Sequence, residues 1–254
     1  MPKYLVKVIK FSLRKLGFKL LRINNCINLR SKGVYLNVGC GSYEIEGFTS
    51  VDYYSEAYYS NKKFNRIHYD MRNDNLPYAD KSVDGIYCSH VIEHIETFAV
   101  EEFFKESYRA LKPGGILRIC CPDAEYLYSN LQDNPEYFKW HPLYKNIDDA
   151  LACFVSEVGT PNVGKRNFGL QKNWFEYTYD ELLKALRSDL EFDERSPGRH
   201  INSWDFERIF WLAKSVGFSC VTKSRFQGSF KEEFRGSDMD LTHPEMSLYV
   251  DVKK

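Results

Sequence analysis

Four groups of residues in this 254-residue chain have the types and spacing for chemistry. Gly39-Cys40-Gly41 closes an apolar run from Val34 to Val38, and Asp52 closes a second, Phe48 to Val51. Glycines let backbone amides approach a ligand closely, and a carboxylate at the next strand's end can accept both hydroxyls of a ribose. The pair therefore points to a nucleoside-type cofactor. Further on, Ser89-His90-Val91-Ile92-Glu93-His94 contains H-x-x-E-H, the pattern of one class of zinc proteases. There the motif lies within a helix with a third ligand downstream, whereas here it follows a strand, so no metal site is expected. A histidine at that position could act as a general base or orient a substrate. Asp123 and His200 are the remaining candidates.

The elements that must position these groups follow from periodicity and punctuation. Val34–Val38 and Phe48–Val51 read as buried strands. Only six residues, Ser42 to Gly47, separate Gly41 from Phe48, too few for the dozen or so of a helical crossover. The loop also has Glu44 where a dinucleotide fingerprint needs its third glycine. A short helix is expected over Tyr53–Lys63, a third strand over Phe64–His68 ending near Asp70, and a fourth over Val83–Cys88 that turns onto a helix at Ser89–Ile95. Glu101–Leu111 reads as a helix stopped by Lys112-Pro113-Gly114-Gly115, and Ile116–Cys120 as a fifth strand delivering Pro122 and Asp123. From 124 to 199 aromatic residues crowd in, with helices expected over Glu125–Leu131 and Asp180–Leu190 and a flexible loop at 159–164. Ser203 is the expected cap of a helix over Asp205–Val216, closed by Gly217. Ser219–Lys223 and Ser247–Val252 read as strands six and seven.

Bulk composition is that of a globular protein, 43% hydrophobic and 28% charged, which argues against disorder. The seven cysteines are odd in number and contain no C-x-x-C, so neither a disulfide framework nor a zinc ribbon is expected, and they read as reduced thiols of a cytoplasmic protein. No apolar run reaches the ~18 residues of a membrane span. The net charge of zero hides an asymmetry: residues 1–43 hold nine Lys or Arg and no acid, leaving 26 basic against 35 acidic residues elsewhere. Within residues 1–32, Lys3, Lys7, Lys10 and Arg14 recur at helical spacing opposite Leu5, Ile9, Leu13, Leu16 and Leu20. This basic amphipathic helix either packs on the body or, through residues 1–22, touches anionic lipid.

LNVGCG with Val51-Asp52, Asp70-Met71, LPYADKSVDGIYCSHVIEHI and ESYRALKPGGILRICCPD resemble class I S-adenosylmethionine-dependent methyltransferases, and more narrowly small methyltransferases of bacterial surface-polysaccharide synthesis. The resemblance spans roughly Gly33 to Asp123, with SLYVDV resembling the family's last strand. It implies an α/β, Rossmann-like fold: a seven-stranded mixed sheet, last strand antiparallel, helices on both faces, here with a shortened first crossover. It divides the chain into the N-terminal helix (1–32) and a methyltransferase domain (33–254) with an insertion or lid at 124–199. S-adenosylmethionine is the implied cofactor. Gly39, Cys40 and Gly41 would line its methionine end, Asp52 its ribose, and Asp70 with Met71 its adenine; Ser89 is counted with them. An oxygen acceptor benefits from a base, for which His90, His94, Asp123 and His200 are candidates. The implied reaction is O-methylation of a glycan precursor by an enzyme that needs no nucleic acid. The rival readings are an inactive cofactor-binding scaffold, a nicotinamide-dependent sugar oxidoreductase, disfavoured by the missing glycine and helix, and a nucleic-acid methyltransferase, disfavoured by the acidic body.

Overall fold

The computed structural model describes residues 29–30, 32–54 and 66–254. The expected basic helix over 1–32, its lipid contact at 1–22 and most of the expected helix at Tyr53–Lys63 lie outside the described residues.

Seven strands form one sheet: β1 (Tyr35–Val38), β2 (Thr49–Asp52), β3 (Ile67–His68), β4 (Val83–Ser89), β5 (Leu111–Pro122), β6 (Cys220–Lys223) and β7 (Ser247–Lys253). Their order across the sheet is β3-β2-β1-β4-β5-β7-β6. All pair in parallel except β7, which runs antiparallel to both β5 and β6. β1 lies centrally and is buried along its whole length, as a strand covered on both faces must be. The reversal of strand order between β1 and β4 opens a crevice at their carboxyl ends, where open α/β sheets bind ligands.

Alternating side chains divide between two cores. Leu36, Val38, Ile86, Cys88, Leu117 and Ile119 meet helices α1 (Thr97–Ala110) and α5 (Phe206–Val216) on one face. Phe103 and Phe104 of α1 are fully buried there, each worth about 1.5–3 kcal/mol in apolar surface removed from water. The α5 helix is capped by Asp205, which accepts from the Arg208 amide, rather than by Ser203. On the other face Tyr35, Tyr87, Ile116 and Tyr249 pack against Phe234 and Met239 of the 224–246 connection. That connection also supplies Asp240, which with Asp251 brackets the fully buried Arg118 side chain.

As expected, no helix occurs between β1 and β2, where the chain turns through residues 39–48. Local departures elsewhere have physical causes. The Lys112–Gly115 segment does not separate helix from strand but bulges out of β5, with Gly114 at φ 78°: Val83 pairs with Leu111 and Gly85 with Ile116. The 124–199 segment gathers a core of its own from α2 (Ala124–Asp133), α3 (Ala150–Gly159) and α4 (Tyr179–Arg187). The α3 sequence ALACFVSEVG is apolar on nearly every side, which erased the periodicity that marks a surface helix. The expected flexible loop at 159–164 is instead a tight turn whose Asn162 side chain is buried and donates to the Leu186 carbonyl.

Candidate functional site

The cleft at the β1/β4 crevice has a volume of about 670 Å3 when the solvent at its open mouth is included. Its floor is the loop after β1. Gly39 sits at φ 68°, and a Cβ there would come within 2.2 Å of Val91 Cγ2, so both backbone and space demand glycine. The loop is tied back through the carboxylate of Asp52: Oδ2 accepts from the Gly41 amide at 2.8 Å and Oδ1 from the Tyr53 amide at 2.8 Å. Asp52 Oδ2 also faces the Arg66 guanidinium, with Nη1 at 3.8 Å. Cys40 turns its thiol to Asp52, and burial beside that anion pushes it up to about 11, keeping the sulfur protonated.

The far wall is formed after β3. Tyr69, Asp70, Met71 and Arg72 line it. Arg72 grips Asp70 with two hydrogen bonds of 2.9 Å, while its own amide and Asn73 fill the remaining acceptor positions. Burial opposes ionisation of Asp70, and these donors outweigh it, holding the carboxyl below its ordinary value. Asp70 thus has no spare lone pair for an adenine amine in this arrangement. The Arg72 guanidinium stacks at 4.0 Å over the Phe192 ring and at 5.0 Å over Tyr53. Phe192, Pro197 and Gly198, from the end of the 124–199 segment, close this side of the cleft.

The third wall is built by the turn after β4. His90 is held at φ 54°, a left-handed conformation that costs energy for a residue with a Cβ and marks functional sites. Its amide donates to Cys120 O, and its Nε2 lies 2.8 Å from Ser247 Oγ. Ser247 Oγ donates to the His243 carbonyl, so it receives the His90 Nε2 proton. A short 3-10 turn, Ile92–His94, then brings Glu93 inside, its Oε1 3.1 Å from His90 Nδ1 and 3.9 Å from His94 Nε2. Burial works against the Glu93 anion, but His90, His94 and His200 around it prevail and hold its carboxyl down to about 2. Burial lowers the His94 imidazole below its ordinary value, Glu93 opposing it.

Of the cofactor candidates, Gly39, Asp52, Asp70 and Met71 line the cleft, and Cys40, Gly41 and Ser89 do not. Of the candidate bases, His90 and His94 line it. The His200 ring packs against His94 with centroids 4.8 Å apart. Asp123 is elsewhere: it caps α2 by accepting from the Tyr126 amide and pairs with Lys223 at 3.1 Å. Sequence reasoning missed Tyr53, Tyr69, Arg72 and Phe192. Arg72 carried a signal, being a charged neighbour of Asp70-Met71; Phe192 had none, because its approach depends on how the insertion folds back.

Residues 36–119 match the family model described as "Methyltransferase domain". No curated protein matches the chain. Solved structures that it resembles include a SAM-dependent methyltransferase from Archaeoglobus fulgidus, with 15% identity, 98% of this chain and 94% of that one covered and a TM-score of 0.47. One from Mesorhizobium loti has 14% identity, coverage of 91% and 96% and a TM-score of 0.43. A possible histamine N-methyltransferase from Thermotoga maritima has 17% identity, coverage of 87% and 82% and a TM-score of 0.40. The matched segment holds β1 through most of β5, hence the glycine loop, Asp52 and the His90–His94 turn. Over residues 36–119, about a third of its length, the chain thus matches a methyltransferase domain.

Proposed function

We propose that the chain methylates a hydroxyl group of a sugar-like acceptor in glycan synthesis. The observation that carries this reading is the group of imidazoles on the cleft wall, backed by the buried Glu93 carboxylate. The bound cofactor supplies an electrophilic methyl group on a sulfonium, already a good leaving group. Transfer of that methyl to the acceptor oxygen would leave a hydroxyl proton for the residues of the cleft to remove. An amine acceptor would need less help; a hydroxyl benefits from a positioned group that eases proton removal, worth roughly 10²- to 10⁴-fold. Asp52 binds and orients the ribose, and the Tyr53, Arg72 and Phe192 stack excludes water from one side of the cleft. Aromatic faces such as these suit the C–H faces of a sugar. In this reading residues 1–22 make peripheral contact with anionic lipid, and sedimentation with anionic vesicles at low salt tests that contact.

The purified chain should bind S-adenosylhomocysteine, but not NAD, in a calorimetric titration, and then transfer a labelled methyl group to members of a nucleotide-sugar and lipid-linked-sugar panel. Binding without transfer to any hydroxyl acceptor would favour a scaffold role. Transfer to amine acceptors alone would refute the oxygen assignment.

A further inference from the structure

Glu93, His94 and His200 converge so that one ligand atom from each lies within 4.8 Å of the others. Glu93 is 1% exposed, and neither carboxylate oxygen has a hydrogen-bond partner among the described residues. His90 Nδ1 stands 3.1 Å from Oε1 but out of line for a hydrogen bond. A buried carboxylate without an aligned donor is costly unless a cation faces it. Both partner imidazoles are oriented from behind. His94 Nδ1 lies 3.1 Å from the Arg199 carbonyl and His200 Nδ1 2.8 Å from the Glu157 carbonyl. A carbonyl only accepts, so each Nδ1 carries a proton, and in the neutral ring each Nε2 offers a lone pair. Metal-binding histidines are held in this way, one ring nitrogen donating to a carbonyl while the other ligates.

The scaffold is equally committed. The Ile201 and Asn202 amides both donate to the Glu93 carbonyl, at 2.9 and 3.0 Å. The Thr160 amide donates to the His200 carbonyl, and the His200 amide to Thr160 Oγ1. The segment carrying His200 is therefore fastened across the Ile92–His94 turn, and Glu157 behind it is held in turn by His141 at 3.0 Å.

We propose that Glu93, His94 and His200 bind one divalent first-row transition-metal ion in the wall of the cofactor cleft, with open coordination positions facing the acceptor. Two imidazoles and one carboxylate suit zinc, manganese, iron, cobalt or nickel rather than calcium or magnesium, which favour all-oxygen sites. Three protein ligands with a vacancy form the pattern of catalytic rather than structural sites. Ligands on bonds of about 2.1 Å stand roughly 3.4 Å apart at tetrahedral angles, so the three side chains close by about an ångström on binding. Such an ion would acidify a coordinated hydroxyl; that role rests on the methyl-transfer reading, whereas ion binding does not.

The test is a titration of the chelator-stripped full chain with Co2+, followed by visible absorption, with and without S-adenosylhomocysteine. One equivalent should bind with d–d bands in the visible range, be displaced by Zn2+ and raise the melting temperature. Glu93→Gln and His200→Asn should each weaken uptake by about 100-fold, while His243→Asn leaves it unchanged. No uptake of Co2+, Zn2+ or Mn2+ by the unmodified chain, or uptake that survives both substitutions, would overturn the site. Co2+ binding without S-adenosylhomocysteine binding would sink the methyl-transfer reading and leave the metal site standing. The reverse result removes the site alone.

Discussion

At the scale of single residues, the proposed function assigns binding and chemistry to different walls of the cleft. Asp52 is fastened by two amides and lines the cleft. Asp52→Ala should weaken S-adenosylhomocysteine binding by about 1–3 kcal/mol, read by calorimetry, through loss of charge-assisted hydrogen bonds. His94→Ala should leave that affinity unchanged yet lower kcat by roughly 10²- to 10⁴-fold. An equal loss of both quantities would mean that His94 supports the fold of the cleft rather than the reaction. That Gly39 and Asp52 would meet at one edge of the sheet was legible in the sequence, because each closes an apolar run. The saturation of Asp70 by Arg72 was hidden, since it depends on how the turn at 70–74 folds back on itself.

Elements succeed or fail by their ends and their packing faces. Helix α5 stops at Gly217, whose φ of 111° lets its amide reach both the Ala213 and Lys214 carbonyls. Gly217→Ala should cost about 1–2 kcal/mol, since a Cβ is strained in left-handed backbone. That loss should appear as a drop in melting temperature of about 2–4 °C per kcal/mol, without a change in cofactor affinity. In β5, Arg118 reaches Asp251 at 2.8 Å and Asp240 at 2.5 Å, all three side chains fully buried. Arg118→Met would leave two buried carboxylates facing each other and should destabilise the chain by about 3–5 kcal/mol in denaturant titration. Periodicity revealed α1 and α5 because each has one wet face. It failed for α3, which is buried nearly all round, and for β5, whose Lys112–Gly115 bulge resembles a boundary between elements.

For the whole molecule, acid is a probe of how carboxylates tie distant segments together. Glu106 on α1 is held below its ordinary value first by the Arg109 side chain, burial notwithstanding, and by the Leu76 amide, which anchors the loop before β4. A carboxylate whose folded value is lowered adds stability that is present above its unfolded value of about 4.3 and lost as pH falls through the folded value. Glu106→Gln should therefore be less stable than the parent at pH 7, with the gap narrowing below pH 4; a gap that persists in acid would show that the effect is not ionic. The sequence by itself determined the strand succession, the glycine loop, Asp52 and the missing first helix, because these are local: apolar runs, glycine at obligatory turns and too few residues for a crossover. Only the tertiary structure decided which histidines meet. His94 and His200 are separated by the entire 124–199 insertion, and no periodicity encodes that the Ile201 and Asn202 amides close upon the Glu93 carbonyl. Packing made that choice, and with it turned a motif set aside for want of a third ligand into a convergent site.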